Sequence, residues 1–139
     1  MIKVFLDASV IIAAMLSPTG GSAKVIKLGQ LGSWAQITSQ TVIDEVKDHT
    51  EKIGKSAAEI DQFIKEHSVL MRKRLTKLDI KPYLGKVEQD DAHLIAGAKL
   101  TKCDYLITLD KRHLLKTDIK NRFKLLKIVN AQEFLQNNV

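Results

Sequence analysis

The chain has a single cysteine, Cys103, so no disulfide can form within it; a lone thiol is most simply a small apolar core residue. It has no long hydrophobic run. The longest, Val10 to Leu16, falls far short of the ~20 residues that a membrane-spanning helix needs. There is no repeat, linker or low-complexity tract, and no cationic leader with a small-residue cleavage site, so a cytoplasmic protein without membrane contact is expected. Gly20, Gly21 and Gly32 do not form a phosphate-cradling fingerprint. His49 and His67 have no metal-ligand spacing to any Cys or His, which argues against zinc. What remains is an ordinary globular composition, 45% apolar and 27% charged over 139 residues, read as one domain, 1–139.

The charge is less ordinary. A formal net charge of +6 points toward a polyanionic partner. Lys111, Arg112, Lys116, Lys120, Arg122, Lys124 and Lys127 lie close together with Asp118 as the only acid among them, and Arg72-Lys73-Arg74-Lys77 forms a second group. Both could equally be solubilising surface.

Apolar periodicity and turn residues predict alternating strands and helices. Strands are expected at Lys3–Leu6, Ala35–Thr38, Thr76–Ile80, Tyr105–Thr108 and Leu125–Val129. Helices are expected over Ser9–Leu16, from a Ser22 cap to Leu31, and from Ser39 or Thr41 through Ile53. Further helices are expected over Ser56–Leu75, Glu88–Leu100, and from an Asn130 cap through Leu135. This alternation implies an α/β fold, a parallel sheet covered on both faces.

In such sheets ligands collect at the carboxyl ends of the strands. Asp7 ends the first strand in "FLDASV", and Asp110 ends the fourth in "DYLITLD". Glu45, in "TVIDEV", and Asp91, in "EQDDAHLIAGA", fall near the starts of helices that would open at the same edge. Four carboxylates in one cleft repel unless a cation joins them, and hard divalent ions prefer oxygen ligands. Each acid also has a plain structural reading. Asp7 could cap a helix, Asp90 and Asp91 could favour a helix N-terminus, Glu45 could be solvated, and Asp110 could sit in a turn. His93, two residues past Asp91, would point about 200° away around an α-helix and is expected to be structural or surface. His113, three residues after Asp110, could reach a substrate phosphate but is read as a loop histidine.

Taken together, FLDASV, TVIDEV, DDAHLIAGA and DYLITLD resemble the motifs of a PIN domain over nearly the whole chain. The segment "SPTGGSAKVIKLGQLG" is similar to the branch of VapC-like PIN toxins of toxin–antitoxin pairs. The resemblance implies a three-layer α/β/α sandwich with strand order 3-2-1-4-5. It implies Mg²⁺- or Mn²⁺-dependent cleavage of single-stranded RNA, with Asp7, Glu45, Asp91 and Asp110 in the acidic motif positions as metal ligands and catalytic groups. Ser9 and Thr108 match supporting hydroxyls; a cognate antitoxin and a homodimer are the implied partners. Lys111, Arg112 and Lys116, with the Arg72–Lys77 group, would hold the RNA backbone. Two other readings stay open: phosphoryl transfer through an aspartyl intermediate at Asp7, disfavoured because Ser9 stands where a second Asp is usual, and a non-catalytic PIN-like RNA- or protein-binding module.

Overall fold

A computed structural model of the protein describes residues 1–139. The hydrophobic run Val4–Leu6 is completely buried and forms β1 (Lys3–Leu6), the middle strand of a five-stranded, all-parallel sheet. A central parallel strand is covered on both faces, which is why it reads as continuously apolar rather than alternating. The strand order is β3-β2-β1-β4-β5, with β2 at Ala35–Ser39, β3 at Leu70–Arg72, β4 at Tyr105–Ile107 and β5 at Lys127–Val129. This is the α/β fold and strand order expected from the sequence.

Helices fill the connections: α1 (Ala8–Leu16), α2 (Gly21–Gln30), α3 (Gln40–Lys47), α4 (Thr50–Ile53), α5 (Ala57–Glu66), α6 (Lys77–Ile80), α7 (Ala92–Leu100), α8 (Thr117–Arg122) and α9 (Ala131–Asn138). No single helix is long and apolar enough to cross a membrane.

Register assigns the two faces. Val4 pairs with Gln36 and Tyr105, whereas Phe5 pairs with Ile37 and Leu106. On the Val4 face, α2 lays Gly29 against Gln36, and Phe134 of α9 makes edge-on contacts with Tyr105 and Trp34 at 4.9 and 4.7 Å. On the Phe5 face, α7 lies across β1, β2 and β4, with Gly97 against the Phe5 ring. Such close helix–sheet approach leaves no room for a Cβ.

The largest departure from the sequence reading lies between residues 56 and 80. A single helix is predicted to Leu75, but α5 stops at Glu66, and Ser68 adopts a left-handed backbone with φ 56°. The chain then turns into β3, which pairs Leu70, Met71 and Arg72 with Ile37, Thr38 and Ser39. The predicted strand Thr76–Ile80 is α6 instead, nucleated by a capping box: the Asp79 N–H donates to the Thr76 hydroxyl at 3.2 Å, and the Thr76 N–H donates to the Asp79 carboxylate at 2.8 Å. A glycine-free stop and a box closed by Asp left the sequence pattern pointing the wrong way.

Smaller corrections follow the same logic. Ser39, not Thr41, caps α3, and the helix predicted through Ile53 breaks at Asp48–His49 before α4. Ser22 is buried inside α2, whose N-cap is Gly20. The predicted helix Glu88–Leu100 begins as a 3₁₀ turn, Gln89–Asp91, before α7. Helix α8 has no counterpart in the sequence reading.

A Cβ at Gly97 would lie 2.6 Å from Cζ of Phe5, whose ring is fully buried and has nowhere to move. Gly97→Ala is therefore expected to destabilise the protein by about 1–3 kcal/mol through overpacking. Urea unfolding should show a lower midpoint at unchanged slope, with partial recovery in the Phe5→Leu/Gly97→Ala double variant.

Candidate active site

The chain leaves β1 toward β2 on one side and reaches β4 on the other, so the β1–β4 boundary is the switch point where an open α/β sheet forms a crevice. Asp7 stands immediately beyond β1 and Thr108 immediately beyond β4, 101 residues apart in sequence. The Asp7 carboxylate is 7% exposed and nearly saturated. Oδ1 accepts the Ala8 N–H at 2.6 Å, while Oδ2 accepts hydroxyl protons from Ser9 at 2.9 Å and Thr108 at 2.6 Å.

Both hydroxyls are themselves held from behind. Ser9 Oγ accepts the Leu109 N–H at 3.0 Å, and Thr108 Oγ1 accepts the Asp110 N–H at 3.1 Å. Each hydroxyl receives a backbone proton and passes its own to Asp7. Of roughly four lone-pair positions on a carboxylate, one is left, on Oδ1. Asp7 does occupy the N-cap of α1, as its plain structural reading allows. A cap alone needs no braces from another strand. Burial pushes the Asp7 carboxyl above its ordinary range and the Glu45 charge adds to this, against the bonds from Thr108, Ser9 and Ala8.

Asp110 is fixed differently. Its Oδ1 accepts the backbone N–H groups of Arg112 and His113, both at 3.1 Å, so the loop folds back over its own carboxylate. That turn carries the His113 ring inward. Its Nδ1 lies 3.3 Å from Asp110 Oδ2 and 3.6 Å from Asp91 Oδ2, with Nε2 4.0 Å from Glu88. Ligand atoms of Asp91, Asp110 and His113 all lie within 4.8 Å of one another.

Asp91 is the N-cap of α7 but makes no capping hydrogen bond. Its carboxyl is pushed up from 3.8 to about 6 by burial first, then by the charges of Asp110 and Asp7, with His113 and His93 pulling the other way. Glu45 acts on Asp7, and Asp7 and Asp110 act on Asp91, so the four expected acids share one electrostatic neighbourhood. Asp90, next to Asp91 in the chain, is exposed to solvent.

His93 takes the structural of its two expected roles rather than the surface one. It is 6% exposed, and its Nε2 abuts the Glu45 carboxylate outside hydrogen-bonding geometry, while Nδ1 has no partner. The expected 200° rotation assumes α-helix from Asp91 onward, but Asp91 ends a 3₁₀ turn and His93 is only the second residue of α7. His113 is a loop residue as expected, yet it sits within the acidic cluster. Its place three residues after Asp110 was the available signal.

A groove of about 930 Å³ opens beside the cluster, bordered by Thr41, Glu45, Leu78, Asp91 and His93. A second, of about 630 Å³, brings His113, Lys116, Lys86 and Arg122 together. Lys111, Arg112 and Lys116 are exposed and form no ion pair. The Arg72–Lys77 group is partly spent: Arg74 makes two hydrogen bonds to Asp44, at 2.6 and 3.1 Å, and Arg72 lies 3.9 Å from Asp79.

The raised Asp91 carboxyl has a stability consequence. Between pH ~4, the unfolded value, and about 6, the folded chain holds a proton that the unfolded chain has released. Stability in chelator should therefore fall as pH rises through that window and level off above it. Asp91→Asn is expected to remove this loss, melting above the wild type at pH 7 and converging on it below pH ~4. Melting temperatures across the pH range decide this.

A family model described as PIN domain matches residues 3–112. Among solved structures the fold is similar to that in the crystal structure of VapBC2 from Rickettsia felis bound to a DNA fragment from their promoter. The TM-score is 0.65 at 13% identity, over 93% of this chain and 98% of that one. No curated protein sequence matches significantly.

Proposed function

The chain belongs to the PIN-domain family, and on that premise we propose that it is a metal-dependent endoribonuclease acting on single-stranded RNA, the toxin of a toxin–antitoxin pair, with residues 1–139 forming one catalytic domain. The observation that supports this reading is the convergence of Asp91 and Asp110 with His113, with the charges of Asp7 acting on Asp91 and of Glu45 on Asp7, in a chain whose net charge is +6. A pure binder of RNA gains nothing from an anionic crevice.

The donor set fits Mg²⁺ or Mn²⁺. The carboxylates are hard oxygen ligands, no thiol is near, and the repulsion that lifts Asp91 is what a cation relieves. Asp7 would offer its one free position on Oδ1, Asp110 its Oδ2, and Glu45 and Asp91 their carboxylates. Bound there, the ion supplies Lewis acidity toward the phosphodiester and neutralises charge in the transition state. Asp91 or Asp110 would orient the attacking water. Ser9 and Thr108 keep Asp7 aimed. Lys111, Arg112 and Lys116 take phosphates on the RNA backbone.

An aspartyl-phosphate route fits poorly. Asp7 Oδ2 is engaged by both hydroxyls, and Ser9 holds the position where a second acid would work. The antitoxin and a homodimeric toxin are proposed from the family and from the likeness to VapBC2.

Purified protein should cleave single-stranded RNA with Mn²⁺ and stop in excess EDTA. Asp7→Asn and Asp91→Asn should each cost roughly 10²-fold or more in rate. Mn²⁺ at a hundredfold excess over its Kd should stabilise the wild type by about 2.7 kcal/mol, and Asp7→Asn less. Equal metal-induced shifts in both would reduce Asp7 to a cap. Expression should arrest growth in the wild type and not in Asp91→Asn; cleavage without arrest leaves a nuclease that is no toxin.

Charge reversal of Lys111, Arg112 and Lys116 should weaken RNA binding and flatten its salt dependence, by about 0.7 in log–log slope for each phosphate no longer neutralised. Filter binding at several salt concentrations measures this, with Mn²⁺ binding unaffected. An unchanged slope would make the segment ordinary surface.

A further inference from the structure

We infer that His113 is a metal ligand, joining Asp91 and Asp110 in a mixed nitrogen–oxygen site that favours first-row transition ions over Mg²⁺. This rests on the metal-dependent reading above and adds to it a donor that carboxylate chemistry alone does not contain.

The spacing suits a shared ion. Bond lengths of ~2.1 Å place neighbouring donors ~3.0 Å apart around an octahedral ion and ~3.4 Å apart around a tetrahedral one. His113 Nδ1 lies 3.3 and 3.6 Å from one oxygen each of Asp110 and Asp91. Asp110 Oδ1 is committed to two backbone N–H groups, so the oxygen nearest His113 is the one left free.

The ring is also held in place. The turn that fixes Asp110 sets the His113 backbone, the Leu115 N–H donates to the Asp110 carbonyl at 3.0 Å, and Leu114 is completely buried between them. Glu88 stands 4.0 Å from Nε2, on the side where a ligating histidine carries its proton.

A second observation bears on the same crevice. His93, 6% exposed, abuts the Glu45 carboxylate through Nε2, while its buried Nδ1 has no hydrogen-bond partner. A buried ring nitrogen without a partner is rare.

The chemistry sets the preference. Mg²⁺ takes oxygen almost exclusively, whereas imidazole suits the later first-row ions and is accepted by Mn²⁺. An all-carboxylate site would discriminate less.

Pulsed electron paramagnetic resonance on Mn²⁺ bound to the full chain tests this, because a directly bound imidazole nitrogen modulates the echo. The wild type is expected to show ¹⁴N coupling, and His113→Ala to bind Mn²⁺ without it. Calorimetry should show Mn²⁺ affinity falling about tenfold or more in His113→Ala, with Mg²⁺ affinity nearly unchanged. His113 lies in a partly exposed loop, so the variant should fold, and His113→Asn, which also removes the imidazole, serves as a second variant. Bound Mn²⁺ without nitrogen coupling, or coupling that survives His113→Ala, overturns the inference and leaves the carboxylate site standing. Failure of the wild type to bind any divalent ion sinks both.

Discussion

Everything at the sheet edge depends on how a buried carboxylate is held between β1 and β4. Asp7 is almost out of water, and burial alone would favour its neutral form. Two hydroxyls counter this, and neither is free to turn away, because Ser9 and Thr108 each accept a backbone N–H from the exit of β4. The same four bonds that stabilise the charge tie the start of α1 to the loop carrying Asp110. Loss of either hydroxyl would loosen a carboxylate and the alignment of two strands at once. The brace uses only side chains that follow directly from strand ends, so the parallel register of β1 and β4 dictates it.

Around that fixed point the charges are segregated. Acids turn inward at the crevice, where Asp7 and Asp110 raise the proton affinity of Asp91. Cations without acidic partners lie just outside, at Lys111, Arg112 and Lys116. The segregation begins within one loop: Asp110 folds its own chain inward through Arg112 and His113 amides, leaving the Lys111 and Arg112 side chains exposed. An inward anion and outward cations thus stand on consecutive residues of one loop.

The sheet and its edge were legible because central parallel strands announce themselves. Val4–Leu6 and Tyr105–Ile107 are short, fully or nearly fully buried apolar runs ending at polar residues. The site acids followed, since strand ends define where such a fold can bind. The edge strand β3 was not legible. It shares only one neighbour, exposes Leu70 and Met71, and lies next to a helix whose apolar spacing runs on in register past its true end. What stops that helix is Ser68 in a left-handed conformation, for which the sequence carries no glycine.

The two histidines show a different limit. Periodicity assigns direction by assuming one helical rise throughout, and at residues 89–91 the rise is that of a 3₁₀ turn. A rotation of ~120° per residue instead of ~100° carries the next residues round by tens of degrees, enough to move a side chain from one face toward another. His93 is buried against Glu45. His113 is missed for the complementary reason: loop residues have no period, and only the bonds Asp110 makes to its own following amides determine where the chain returns. Tight turns at strand exits convert short sequence separations into side-chain convergence. In this protein the carboxylates are placed by the sheet, and the imidazoles beside them are placed by the turns.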